Sequence, residues 1–298
     1  AAGYFKAEGF PGARVAMPQS GTNVRQMLAA GQMPFAMGDP LHPLAVTGAG
    51  KATKMLMSVD TRASIAMIVR QDLYDKGITS LKAFGDLKKP DGSKPSIGVT
   101  RVGAQTWLYG DQLMRNVGKI DNVNFVNVGD GANMLGAFKT GRVDALMANS
   151  LIYFATQDEK LGTPVFNAVD EKIWLEVFGS TFPGQVCFAL ADQLKSKPDQ
   201  VQGLVNAVYR ALQHIKNSSP QDLVKLVQPQ FMGNFKPDVA AREIEYLKPI
   251  YSYTGEITEQ QYNSGGKVWF NEGTKVAPQP YKDMVDLSFL AKARAKYG

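Results

Sequence analysis

Ser20-Gly21-Thr22-Asn23-Val24-Arg25-Gln26-Met27-Leu28-Ala29-Ala30-Gly31-Gln32-Met33-Pro34-Phe35-Ala36-Met37 is followed, 110 positions on, by Asp130-Gly131-Ala132-Asn133-Met134-Leu135-Gly136-Ala137-Phe138-Lys139-Thr140-Gly141-Arg142-Val143-Asp144-Ala145-Leu146-Met147. Without a gap, Gly21 meets Gly131, Asn23 meets Asn133, Gly31 meets Gly141 and Met37 meets Met147. Each copy opens with a glycine-containing loop. A short helix follows, with apolar residues at helical spacing: Val24, Met27 and Leu28 in one copy, Met134, Leu135 and Phe138 in the other. Gly31 or Gly141 then stands where a left-handed helix cap is wanted, and a short buried strand comes next. Each copy is thus a loop, helix, strand unit of an open parallel sheet, and the duplication predicts two such sheets. The expected fold class is α/β, with two lobes, each a mostly parallel sheet flanked by helices.

Working outward, the length of 298 residues suits two domains. Hydrophobic residues at 44% supply ample core, and no apolar run approaches the ~18 residues of a membrane span. The net charge of +6 is spread along the chain rather than clustered in a basic run, which leans toward anionic ligands more than toward nucleic acid, and no nucleic-acid partner is expected. One cysteine, Cys187, lies in the apolar run Val186-Cys187-Phe188-Ala189-Leu190 and reads as a buried, inert thiol. His42 and His214 are the only histidines, and neither has a metal-ligand neighbour at helical or hairpin spacing. No metal, no cofactor and no histidine-based triad is expected. The same offset sets residue 1 opposite Asp111, inside a helix, so the repeat predicts on the order of a dozen or more further residues upstream of Ala1. No secretory segment stands at the start, as in any matured chain.

Several segments resemble one family. Gly3-Tyr4-Phe5-Lys6-Ala7-Glu8-Gly9-Phe10, Leu28 to Ala36, Ile97-Gly98-Val99-Thr100 and Ala137 to Ala145 resemble, in the same order, substrate-binding proteins of ABC importers for nitrate, taurine, aliphatic sulfonates and pyrimidine precursors. The resemblance runs from residue 3 to about residue 225. It departs at Pro34, where an aspartate is common, and at the insertion Lys88-Lys89-Pro90-Asp91-Gly92-Ser93-Lys94. The resemblance implies a type II, Venus-flytrap periplasmic binding protein, monomeric, in the periplasm or lipid-anchored outside the cytoplasm, serving a membrane permease. On that frame residues 1–63 and 184–298 form lobe one and 64–183 lobe two. The crossings fall near 59–66 and 180–186. Arg62, beside the first, either reaches the ligand or bridges the lobes.

Ligands of open α/β sheets lie beyond the strands' carboxyl ends, at helix N-termini. Ser20, Gly21 and Thr22 offer hydroxyls and amides at such a terminus, where an anion is favoured, or else cap their own helix. Gly38 and Asp39 end a buried strand; Asp39 either meets a ligand N–H or starts the turn before Pro40. Arg101, Gly103, Ala104, Gln105 and Thr106 form the strongest candidate, an arginine and a close-approach glycine opening a helix. Asp130 and Asn149 are the second copy's equivalents, with helix capping favoured for Asp130. Trp107 belongs to a helical stripe and is expected in the core. The expected function is capture of a small anionic organic or oxyanion ligand between the lobes and its delivery to an ABC permease. The residues leave open an enzyme on the same scaffold, for which His42 beside Asp39 is the one hint. A binding protein of a tripartite carrier and a regulator's sensing half are open too.

Overall fold

A computed structural model describes residues 1–12, 21–232 and 236–298. The chain starts in one packed unit with α1 (Tyr4–Ala7), α2 (Gly21–Ala29), β1 (Phe35–Gly38), α3 (Leu41–Gly48) and β2 (Thr53–Ser58). A second unit opens with β3 (Ile65–Arg70), α4 (Gln71–Tyr74), α5 (Leu81–Gly85), β4 (Ser96–Val99) and α6 (Gln105–Asn116). It continues through β5 (Asn124–Asn127), α7 (Ala132–Lys139), β6 (Ala145–Asn149), α8 (Ser150–Asp158), β7 (Gly162–Asn167) and α9 (Glu171–Phe178). The chain then returns through β8 (Val186–Leu190), α10 (Ala191–Ser196), α11 (Pro198–Asn217), α12 (Pro220–Phe231), α13 (Pro237–Leu247) and α14 (Glu259–Trp269). It ends with α15 (Tyr281–Met284) and α16 (Ser288–Tyr297). The first unit comprises Ala1–Ala63, Thr181–Phe270 and Val276–Gly298; the second comprises Ser64–Ser180 and Asn271–Lys275. The sequence reading put all of 184–298 with the first lobe, and so did not foresee the five residues Asn271–Lys275 packing with the second.

The duplication is real in three dimensions and longer than the quoted stretch. β1 and β6 start 110 positions apart, and α2-β1-α3-β2 in one unit matches α7-β6-α8-β7 in the other. Gly31 and Gly141 both turn with left-handed backbone, φ 72° and 70°, after the repeat's helix. The sheet orders agree as well: β1-β8-β2 in the first unit, and β6-β3-β7 within β5-β4-β6-β3-β7 in the second.

The α/β class with two helix-flanked sheets therefore stands, but the strand sense is corrected. In the three-stranded sheet both pairings are antiparallel, with Met37 opposite Cys187 and Met55 opposite Phe188. In the five-stranded sheet β4 pairs parallel with β5 and β6, whereas β3 runs antiparallel to β6 and β7. The reason is connectivity. Helix-connected units generate parallel neighbours, yet the strand that enters each unit from the other, β3 or β8, slots between two repeat strands and runs against them. Both entering strands are nearly continuous apolar runs, as a strand covered on both faces must be.

Packing follows the patterns. On α11, Val201, Leu204, Val205, Val208 and Leu212 are buried with Leu56, Met57, Cys187 and Leu290, each such side chain contributing about 1.5–3 kcal/mol by burial. In the second unit Ile68, Val128, Met134, Phe138, Val143 and Leu146 form the core. A Cβ on Gly203 would lie 2.6 Å from the Glu8 carbonyl, so the turn after α1 sits directly on α11. Glu8 then accepts from Arg210 Nη1 at 2.7 Å, Asn206 Nδ2 at 2.8 Å and Tyr297 Oη at 2.5 Å. The Arg210 guanidinium lies over the Tyr4 and Tyr297 rings at 4.5 and 4.8 Å. Asp144, from the repeat, joins the starts of β4 and β6: its Oδ2 accepts from Ser96 N and Oγ, both at 2.9 Å, and from Lys89 Nζ at 3.1 Å.

Candidate functional site

In the second unit the sequence's strongest candidate is a built loop. Ile97 pairs with Ala145 and Gly98 with Leu146 in parallel register, so the loops after β4 and β6 emerge side by side. Thr106 Oγ1 ties the loop's two ends together, accepting from Thr100 N at 3.0 Å and bonding Thr100 Oγ1 at 2.8 Å. Ala104 N donates to Arg101 O at 3.0 Å, Gly103 takes φ 84°, and Val102 N donates to Asn127 Oδ1 at 2.8 Å. Arg101, Val102 and Gly103 are exposed; Gln105 and Thr106 are half-buried. α6 starts on Ala104, whose methyl group supplies no cap. The positive end of this helix therefore lies beside the exposed arginine, an arrangement suited to a negative group.

The other second-unit candidates have local work. Asn149, exposed, caps α8 by accepting from Ile152 N at 3.1 Å. Asp130 is also exposed, but the capping expected of it does not occur. Gly131 is the cap residue of α7, and the Asp130 carboxylate turns back to accept from Gly131 N at 2.7 Å. Trp107 is 8% exposed and packs edge-on against Phe125 at 6.3 Å, in the core as its stripe required.

In the first unit Ser20 lies outside the described residues, and Gly21 and Thr22 open α2. Gly38 ends β1 so close to α3 that a Cβ would stand 2.8 Å from His42 Cδ2. Asp39 is buried and starts the turn: its Oδ1 accepts from Leu41 N at 2.8 Å. His42 Nδ1 is buried without a hydrogen-bond partner among the described residues, and burial, with the Arg25 charge, holds its pKa down to about 4. Arg62 is only 2% exposed and donates to Pro249 O at 3.3 Å, so this guanidinium is packed within the first unit.

Sequence reasoning missed Asp60. It is 5% exposed, and its Oδ1 accepts from Gly184 N at 2.6 Å and Gln185 N at 2.8 Å. Two further backbone bonds, Val59 N to Gln185 O at 2.9 Å and Phe182 N to Thr61 O at 3.0 Å, run beside it. A Cβ on Gly184 would come within 2.7 Å of Ala63 Cα. The two crossing segments are thus paired where they leave and re-enter the first unit. Burial pushes the Asp60 carboxyl up to about 8, and the Asp39 charge adds to this against the two amides and Arg62. The only sequence signal was an acid beside Arg62 in the short polar stretch between two apolar strands.

No group of described histidine, cysteine and acidic residues is arranged to hold a metal ion. The Cys187 thiol is fully buried, and burial pushes it up to about 12, far from thiolate chemistry at neutral pH.

Residues 1–227 match the NMT1-like family. This chain belongs to that family. Among solved structures, this NMT1-like chain is similar to a protein of Bordetella bronchiseptica RB50, with 22% identity and a TM-score of 0.79 over 99% of this chain and 90% of that one. It is similar to the periplasmic nitrate-binding protein of Synechocystis PCC 6803 (12% identity, TM-score 0.75, covering 99% and 83%). It is also similar to a putative sulfonate ABC transporter component, the periplasmic sulfonate-binding protein of Methylobacillus flagellatus KT (15% identity, TM-score 0.72, covering 95% and 81%). At these identities the likeness is one of fold, that of periplasmic binding proteins. Among curated proteins none matches the sequence. No helix among the described residues is long and apolar enough to cross a membrane.

Proposed function

We propose that this NMT1-like protein is a solute-binding protein of an ABC-type importer, working outside the cytoplasm as a monomer. Its ligand is a small molecule with an anionic group, an organic acid, sulfonate or oxyanion. The observation that carries the reading is the Thr100–Thr106 loop: an exposed arginine beside an uncapped helix start, braced by a threonine pair. Gly38, Asp39, Asp130, Asn149 and the start of α2 are the further strand-end positions from which contacts would come. A ligand that engages the loops of both lobes favours the closed form and shifts the population toward it, and a permease then reads that form. The nitrate- and sulfonate-binding names of proteins with this fold support the ligand class.

No covalent chemistry is required of this site. His42, kept neutral and half-buried, and Cys187, sealed in the core, support a binding role over an enzymatic one. A tripartite carrier would change only the partner. The test is thermal unfolding against sulfonates, carboxylates, nitrate, bicarbonate and pyrimidines, with chemical analysis of each ligand afterward. A ligand at ~100 times its Kd adds about 2.7 kcal/mol of stability. A selective shift that disappears in Arg101→Ala, with the ligand unchanged, is the expected result. Consumption of a ligand would establish an enzyme, and no shift from any compound would overturn the ligand class.

A further inference from the structure

Beyond the two main crossings, the chain leaves the first unit once more. After Phe270 it packs Asn271–Lys275 with the second unit, and at Val276 it rejoins the first. This excursion is a made turn rather than slack. Glu272–Thr274 form a 3-10 helix, Asn271 Oδ1 accepts from Thr274 N at 3.1 Å, and Thr274 Oγ1 donates to Asn271 O at 2.9 Å. Lys275 closes it with φ 56°, a left-handed conformation uncommon for a residue with a Cβ.

The turn is seated on α6 at two points. The three atoms nearest a Cβ built on Gly273 all belong to the Trp107 ring, and that Cβ would overlap Cη2. The ring has little room to yield, being buried and fixed edge-on by Phe125. Asn271 Nδ2 donates to Asp111 Oδ2 at 3.4 Å. Asp111 is itself 3% exposed and receives Arg115 Nε at 2.6 Å. The Asp111 hydrogen bond holds this guanidinium above its ordinary pKa, and the Glu272 charge adds to it. Trp107 and Asp111 are four residues apart on α6, on one helical face. Trp107 directly follows Gln105 and Thr106, so the seat lies against the turn that closes the Arg101–Thr106 loop.

We propose that Asn271–Lys275 is a strap that clamps the first turns of α6, making Asn271 and Gly273 positioning residues for the Arg101–Thr106 loop. The seating needs only the contacts above; the positioning role rests on the binding function proposed for that loop. A β-carbon at position 273 lifts the strap or tilts Trp107. Loss of the Asn271 amide frees the strap's leading end without any steric clash.

Hydrogen exchange on the full chain without ligand tests this in Gly273→Ala and Asn271→Ala. The α6 amides from Leu108 onward should exchange about fivefold faster in Asn271→Ala, the scale of the lost bond to Asp111, and at least as fast in Gly273→Ala. The loop amides of Val102 and Ala104, bonded to Asn127 and Arg101, should rise with them; faster α6 exchange with both loop amides unchanged overturns the positioning role. The amides of β8 and of Ile68 and Leu146 in the second sheet should hold their parent rates. Unchanged α6 exchange in both variants, or an equal rise at Ile68 and Leu146, overturns the strap. Because the exchange is read without ligand, failure of every compound in the binding panel would count against the binding reading and leave the strap's result standing.

Discussion

Asp60→Asn should change how stability depends on pH, and the structure gives the sign. The Asp60 carboxyl titrates at about 8 when folded and near 3.8 when unfolded. Its folded pKa is raised, so its contribution is fully present below 3.8 and is lost as pH rises toward 8. In between, the native chain holds a proton that the unfolded chain has released, and stability falls by about 1.4 kcal/mol per pH unit. His42 works in the opposite direction. Its pKa drops from 6.5 unfolded to about 4 folded, so stability rises with pH at a similar rate between about 4 and 6.5. In the parent chain the two slopes offset each other up to pH 6.5. Above that only the Asp60 slope remains, a loss of about 2 kcal/mol by pH 8.

The asparagine keeps an oxygen for the Gly184 and Gln185 amides but has no proton to lose. Asp60→Asn should therefore gain about 3 kcal/mol from pH 4 to 6.5, the His42 slope alone, and stay level to pH 8. Urea unfolding followed by far-ultraviolet circular dichroism, at half-unit steps from pH 5 to 9, measures both curves. The parent-minus-variant difference should decline steadily up to about pH 8 and level off above it. Curves that run parallel would refute the assignment and mean that the carboxylate stays ionised between the two crossings.

Other consequences follow from single contacts. Glu8→Ala should cost about 2–3 kcal/mol in urea unfolding, because it leaves Arg210, Asn206 and Tyr297 without their shared acceptor; Glu8→Gln should cost less. Gly31→Ala should cost about 1 kcal/mol from left-handed backbone alone, since open space surrounds that position. Gly141→Ala should cost more, because its Cβ would stand 2.6 Å from Arg70 Nη1, and that guanidinium is held by Asp72 at 2.7 Å; thermal melts of the two variants give the comparison. Gly184→Val should destabilise the first unit by at least about 2 kcal/mol, as the side chain would drive into Ala63 at the paired crossings; an unchanged melting temperature would show that this approach is loose.

What the sequence made legible was local. The repeat's helices and strands, the caps at Gly31 and Gly141 and the buried Cys187 all depend on neighbours a few residues away, which periodicity and glycine placement record. Strand sense was not legible, because β3 and β8 pair with strands far along the chain and no local pattern encodes direction. Among site residues, the Arg101–Thr106 loop could be read from its glycine and the helix after it, but the bond that Val102 donates to Asn127 could not, since Asn127 reaches the loop from the end of another strand. The Asn271–Lys275 strap reads as an ordinary polar loop until Trp107 is found beneath Gly273.

The repeat itself explains why Asp60 was the hardest to see. Val59-Asp60 stands 110 positions before Val169-Asp170, so the two aspartates occupy one site of the duplicated unit. Asp170 is exposed and caps α9, accepting from Lys172 N at 2.9 Å and Ile173 N at 3.2 Å. After Asp60 no helix follows, because the chain passes directly into the second unit. The amides that an aspartate in this position would take from its own helix must come from elsewhere, and Gly184 and Gln185, 124 and 125 residues away, supply them. The same carboxylate that satisfies a helix start in one copy is thereby sealed between two crossing segments in the other. Its raised pKa results from that burial, which outweighs the lowering by the two amides.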